Sequence, residues 1–177
     1  MQIVVLQGSP NLKGSTNLLV ESFSKGAQEA GHGVTRFDVC AMNIHACLGC
    51  VACGFEGPCA QSDDVEIVKK ALLGADMVVF ATPLYYYGMT AQLKNVVDRF
   101  AAYNTSLNQK RLKAACLAVG GGTDDWTFDA LDSHFKTLVR YIEMENVGTV
   151  YGLGCDAPET TAASDYPKQA YELGKSL

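Results

Sequence analysis

The chain has 177 residues, 48% apolar and 19% charged, and its 14 Lys and Arg against 19 Asp and Glu give a net charge of −5. That length buries about 70% of the unfolded surface in one core, so a single domain over residues 1–177 is expected, and the acidic balance leaves no footprint for nucleic acid or an anionic membrane. The longest uncharged stretches, 39–55 and 77–93, are too short and too broken by Gly, Cys and Pro to span a bilayer, and residues 1–7 carry no export pattern, so a reducing cytoplasm is the expected compartment.

The run Ile3-Val4-Val5-Leu6 opens the chain as a strand buried on both faces. The segment Gly8-Ser9-Pro10-Asn11-Leu12-Lys13-Gly14-Ser15-Thr16-Asn17 follows, joining it to a helix expected over 16–30 and ended by Gly31. Three hydroxyls, two amides and two glycines at a helix N-terminus suit a phosphate, because the first N–H groups are unpaired and carry partial positive charge. The segment is neither a P-loop, since five residues and then Ser15 stand where four and then Lys are required, nor a G-x-G-x-x-G turn. The competing reading is an ordinary turn in which Ser15 or Thr16 caps the helix.

A second strand is expected over 34–39. Beyond it, in a cysteine-rich loop spanning 40–62, Cys47, Cys50, Cys53 and Cys59 are spaced x2, x2 and x5 with Gly49, Gly54 and Gly57 among them. Four thiolates can hold a [4Fe–4S] cluster, and glycines let backbone N–H groups turn toward sulfur. The first two gaps match a ferredoxin run, but the last is five residues and no Pro follows Cys59. A zinc knuckle and metal-free thiols compete with the cluster. Cys40, Cys116 and Cys155 read as core or loop residues.

The next helix is expected over 63–74, with Ser62 as cap and Asp63 and Asp64 favouring its N-terminal dipole. Met77-Val78-Val79-Phe80 is a third strand, and Thr82-Pro83-Leu84-Tyr85-Tyr86-Tyr87-Gly88-Met89 then sets three aromatics at one rim, suited to a flat heterocycle. Core or dimer-interface packing is the alternative, expected for at least one of these tyrosines. Leu93, Val96, Val97, Phe100 and Ala101 mark a helix with one buried face. A fourth strand over 114–119 leads into Gly120-Gly121-Gly122, which could admit a ligand close to the backbone or simply make a tight turn. Phe128, Leu131, Phe135, Leu138, Val139 and Ile142 stripe a longer helix, with Trp126 read as a hydrophobic staple at its start, the alternative being a ring that overlies the ligand. A fifth strand over 147–153, an irregular tail over 155–165 and a short helix over 168–175 complete the chain.

Five β-α units imply an α/β fold, a doubly wound parallel sheet of flavodoxin-like order 2-1-3-4-5 with helices on both faces and a ligand at the carboxyl ends of strands 1 and 3. The runs GSPNLKGSTNLL and TPLYYYGMTAQLKNVVDRF, with the cysteine cluster, resemble the NAD(P)H-dependent FMN reductase group of flavodoxin-like proteins, in particular its iron-sulfur flavoproteins, from residue 1 to about residue 153. The resemblance implies FMN with Ser9, Asn11, Ser15, Thr16 and Asn17 at its phosphate. It implies Pro83, Leu84, Tyr85, Tyr86, Tyr87 and Gly88, with Gly120, Gly121 and Gly122, around the ring. It further implies one cluster on Cys47, Cys50, Cys53 and Cys59, and a homodimer or homotetramer.

The expected activity is an FMN-dependent oxidoreductase taking electrons from NAD(P)H or ferredoxin, with no catalytic side chain, because the flavin does the covalent chemistry. A non-catalytic electron carrier, an FMN-only reductase with vestigial cysteines and a metal-free thiol sensor are the alternatives. No Ser/His/Asp order supports hydrolysis.

Overall fold

The computed structural model describes all residues 1–177. Five strands, β1 (Gln2–Gln7), β2 (Gly33–Asp38), β3 (Met77–Pro83), β4 (Lys113–Val119) and β5 (Glu145–Gly152), form one parallel sheet in the order β2-β1-β3-β4-β5. The helices are α1 (Ser15–Glu29), α2 (Val65–Gly74), α3 (Ala91–Asp98), α4 (Asn104–Lys110), α5 (Asp129–Tyr141), α6 (Pro158–Ala162) and α7 (Tyr166–Lys175). None is long and apolar enough to cross a membrane.

The strand alternation explains the two layers. Ile3 and Val5 of β1 pack with Leu19, Phe23 and Ala27 of α1 and Ala170 of α7. Val4 and Leu6 face the opposite way, into a larger core that holds Leu72 of α2, Val96 of α3, Leu107 of α4 and Phe135 of α5. Both faces of β1, β3 and β4 are therefore apolar, as their uninterrupted runs predict. Two buried faces, expected of all five strands, are absent at the two sheet edges: β2 is only half-buried, and β5 is partly exposed over its first half. The helices α1 and α7 cross closely enough that a Cβ on Gly26 would run into the carbonyl oxygen of Tyr171.

Several expected boundaries move. Ser62 caps nothing; Asp63 Oδ1 accepts from Val65 N–H at 3.1 Å where α2 begins. The stripe from Leu93 to Phe100 is buried, but α3 stops at Asp98 and the chain tightens into a 3-10 turn over Arg99–Tyr103 before α4, which the sequence pattern did not suggest. The tail is not wholly irregular, since α6 occupies part of it.

Candidate functional site

The loops that follow β1, β3 and β4 meet at the carboxyl edge of the sheet. Backbone bonds continue the ladder past the strands: Gly8 N–H donates to Ala81 O at 2.8 Å, Leu84 N–H to Val119 O at 2.7 Å and Gly120 N–H to Gly152 O at 2.9 Å. Thr90 adds a side-chain lock. Its Oγ1 donates to Gly8 O at 2.7 Å and accepts from Leu93 N–H at 3.3 Å, while its own N–H donates to Thr82 Oγ1 at 3.0 Å. A Cβ on Gly8 would lie 2.7 Å from Leu93 Cβ and 2.9 Å from Thr90 Oγ1. Gly8→Ala should thus cost ~1–3 kcal/mol, the usual range for overpacking, read as a lower urea midpoint at unchanged slope; an unchanged midpoint would mean the lock is loose.

A groove runs along this edge. Its polar half, a cavity of about 220 Å3, is lined by Ser9, Asn11, Gly14, Ser15 and Thr16, with Pro83 and Tyr85 opposite in sequence. Ser9 Oγ donates to Asn11 O and accepts from Asn11 N–H, both at 3.2 Å, and Asn11 Oδ1 accepts from Lys13 N–H at 3.0 Å, so the turn is shaped by its own side chains. The capped-turn reading does not hold. The N-cap of α1 is Gly14, with no side-chain bond, and the N–H groups of Ser15 and Thr16 donate to no protein acceptor. Ser15 Oγ is buried without a partner. The first turn of α1 holds no acid, whereas those of α2, α5 and α6 each hold at least one. A buried helix start with spare donors and no anion of its own has the chemistry of an anion cradle.

Asn17 is not part of the lining. Its amide donates to Glu21 Oε1 at 2.7 Å and accepts from Arg36 Nη1 at 2.5 Å, bracing α1 against β2. Three lining residues that sequence reasoning missed come from the tail: Cys155, Asp156 and Pro158. No periodicity marks them. Gly154 N–H to Gly122 O at 2.9 Å and Cys155 N–H to Gly120 O at 2.8 Å carry the tail back over the glycine loop.

The other half, about 310 Å3, is lined by Tyr86, Tyr87, Trp126 and Gly122, and it shares Leu84, Gly120 and Gly121 with the polar half. Tyr85 and Gly88 exchange backbone bonds of 3.0 and 3.1 Å around a two-residue turn, whose central residues Tyr86 and Tyr87 have φ of 46° and 63°. Such turns favour Asn-Gly, and a left-handed side-chain-bearing residue costs roughly 1–2 kcal/mol. The cost is borne at a site where all three tyrosines are displayed rather than buried, so none of them packs in the core of the chain. Trp126 is no staple either: it is half-exposed, and its ring stands 5.3 Å from that of Tyr87. Gly88 closes the turn without lining the groove. No Lys or Arg lines either half.

On the α2/α3 side, Cys47, Cys50, Cys53 and Cys59 are all unpaired and line one apolar cavity of about 100 Å3, together with Arg99, Ala101 and Ala102. Left-handed backbone at Gly49, Val51, Gly54 and Phe55 curls the loop. Gly49 N–H points to Cys47 Sγ and Gln61 N–H to Cys59 Sγ, each at 3.5 Å, while Cys53 Sγ donates to Ala101 O at 3.7 Å. No three His, Cys, Asp or Glu side chains converge tightly enough to hold a metal ion; what the fold brings together is a four-thiol donor set with N–H groups on two of its sulfurs. The remaining cysteines differ. Burial pushes the Cys116 thiol up to about 12, which keeps it inert, and Cys40 Sγ donates to Gly8 O at 3.3 Å.

The profile of one protein family, described as NADPH-dependent FMN reductase, matches residues 1–156. An iron-sulfur flavoprotein of Archaeoglobus fulgidus is 32% identical over 177 residues, covering 100% of this chain and 79% of the relative. One from Methanocaldococcus jannaschii is 28% identical over 154 residues, covering 85% and 80%. Among solved structures, an NAD(P)H:quinone oxidoreductase from Methanothermobacter marburgensis superposes with a TM-score of 0.82 at 22% identity, covering 100% of this chain and 96% of that one. That likeness speaks to the fold alone.

Proposed function

Because the chain belongs to the NADPH-dependent FMN reductase family, FMN-dependent oxidoreductases that use NAD(P)H, we propose that the groove holds FMN with its phosphate at the start of α1 and its ring at the tyrosine turn. FMN, when bound, supplies the redox chemistry, taking a hydride as an electron pair and releasing electrons singly or in pairs. The protein's part is to bind, orient and exclude water, so no side-chain acid or base is assigned.

The observation that carries this reading is the unpartnered Ser15 Oγ beside the free N–H groups of Ser15 and Thr16. With no cation in the lining, the phosphate is held by these donors and the helix dipole. Ser9 and Asn11 shape the turn, and Asn17 braces it from behind. Asp156, which lines the polar half beside Gly121, suits the hydroxyls of the ribityl chain as an acceptor. Pro83 to Gly88 support the ring, while Gly120, Gly121 and Gly122 let backbone donors approach its edge.

Cys47, Cys50, Cys53 and Cys59 would hold a [4Fe–4S] cluster, which supplies one-electron redox chemistry when bound. The N–H groups of Gly49 and Gln61 would stabilise the negative charge on sulfur. Ferredoxin is the alternative donor to NAD(P)H in this reading. The fully exposed Tyr86 and half-exposed Trp126 favour cover by a second subunit, in a homodimer or homotetramer.

Anaerobically purified protein should be coloured, take up FMN stoichiometrically on titration, oxidise NAD(P)H, and contain about four irons and four acid-labile sulfides per chain. Colourless protein that refuses FMN overturns the flavin site; flavin without iron or sulfide overturns the cluster alone.

A further inference from the structure

Arg99, the first residue of the 3-10 turn after α3, is an anomaly among the buried side chains there. Its side chain is 1% exposed, and it is the one charged residue lining the cysteine cavity. Nη1 and Nη2 grip the fully buried Asp63 carboxylate at 2.6 and 3.2 Å, and Nη1 also donates to His45 O at 3.0 Å. Nε–H has no partner. Leaving a donor of a charged group unsatisfied against an apolar cavity is costly, so the molecule holds one hydrogen bond in reserve where the thiols gather.

The same three residues close the stem of the cysteine loop. His45 and Asp63 flank the four cysteines, two residues before Cys47 and four after Cys59, and His45 N–H donates to Asp63 Oδ2 at 3.0 Å. Beside them Gln61 Nε2 donates to Ala46 O at 2.9 Å. The guanidinium is thus fixed through its two Nη atoms, and Nε is left without a partner in a residue that lines the cavity of the four thiols. Of the four thiols lining the cavity, Cys47 and Cys50 are exposed and Cys53 Sγ is committed to Ala101 O, whereas Cys59 is half-buried beside Gln61, at the closed stem with Arg99.

We propose that Arg99 is a positioning residue for the four-cysteine site: its Nε–H donates to Cys59 Sγ when that sulfur is a metal-bound thiolate, while Asp63 and His45 O hold the guanidinium in place. The inference rests on the [4Fe–4S] reading above. A hydrogen bond to a ligand sulfur withdraws electron density and makes the cluster easier to reduce.

The test compares anaerobically purified wild type, Arg99→Lys, which keeps the charge opposite Asp63 but has no Nε–H fork, and the double variant Arg99→Met with Asp63→Asn, which leaves no buried charge unpaired. Iron and sulfide are assayed first, and the cluster midpoint is then measured by titration followed through its paramagnetic signal. Both variants should be at least tenfold harder to reduce, 59 mV for one electron. A midpoint within threefold of wild type in either iron-holding variant overturns the proposal and leaves the cluster reading standing. Wild type without iron and sulfide overturns both. Should neither variant hold iron, arginine-labelled wild type decides: the Arg99 Nε–H resonance should shift or broaden on cluster reduction while those of Arg36, Arg111 and Arg140 stay put. No response in any arginine overturns the proposal.

Discussion

Asp63→Asn should destabilise the protein, freed of metal and flavin, by about 3–5 kcal/mol at pH 7. The size follows from what remains: a guanidinium 1% exposed that has lost its counter-charge. The carboxylate also organises backbone, accepting from His45 N–H at 3.0 Å and Val65 N–H at 3.1 Å, so the start of α2 and the stem of the cysteine loop loosen together. Against a usual domain stability of about 5–15 kcal/mol, the loss is a large fraction. The exposed pair Lys94–Asp98 gives the contrast, since its breakage by Asp98→Asn should cost under about 1 kcal/mol. Equal urea midpoints for wild type and Asp63→Asn would mean that the pair contributes nothing net.

The same carboxylate sets part of the acid response. Burial alone would raise the Asp63 pKa, but the Arg99 guanidinium and the His45 and Val65 N–H groups hold it below the usual carboxylate value. A folded-state pKa lower than the unfolded one stabilises the fold fully above the unfolded pKa, about 3.9 for Asp. That contribution fades as pH falls through the folded value. Wild type should therefore lose more stability than Asp63→Asn between pH 5 and the acid limit, as denaturation at a series of pH values would show.

What could be read from the sequence, and what could not, divides along one physical line. Residues whose environment is made by neighbours in sequence were legible: the buried strands of β1, β3 and β4, the stripe of α5, and the turn after β1 that leaves N–H groups free at the start of α1. Residues whose role depends on a distant partner were not. Asp63 read as a helix-dipole acid because nothing local shows Arg99, 36 positions on. Arg99 lies off the stripe of Leu93, Val96, Val97 and Phe100, where helical periodicity points a charge to water, and its inward turn toward Asp63 coincides with the tightening into a 3-10 turn that ended the expected helix early. Trp126 read as a staple because its contact, Tyr87, lies on another loop. Cys155 and Asp156 reach the groove only through bonds to Gly120 and Gly122 that no pattern of hydropathy encodes.

Ser15→Asp should weaken FMN binding by roughly a thousandfold or more while leaving the flavin-free protein as stable as wild type or up to about 1 kcal/mol more so. The opposite signs have one cause. At the first position of α1 a carboxylate meets the positive end of the helix and the free N–H groups of Ser15 and Thr16, worth about 0.3–1 kcal/mol, and no acid already occupies that turn. The substituted carboxylate then fills the place assigned to the phosphate. Two unit charges about 4 Å apart repel by ~4 kcal/mol at an effective dielectric constant of 20, and no Lys or Arg in the lining offsets this. Ser15→Ala, which removes one neutral donor, should cost only ~1 kcal/mol. Riboflavin separates the charge effect from any distortion of the groove: lacking the phosphate, it should bind Ser15→Asp as it binds wild type. Equal loss of riboflavin and FMN would place the phosphate elsewhere, and undiminished FMN affinity would remove the start of α1 from the site altogether.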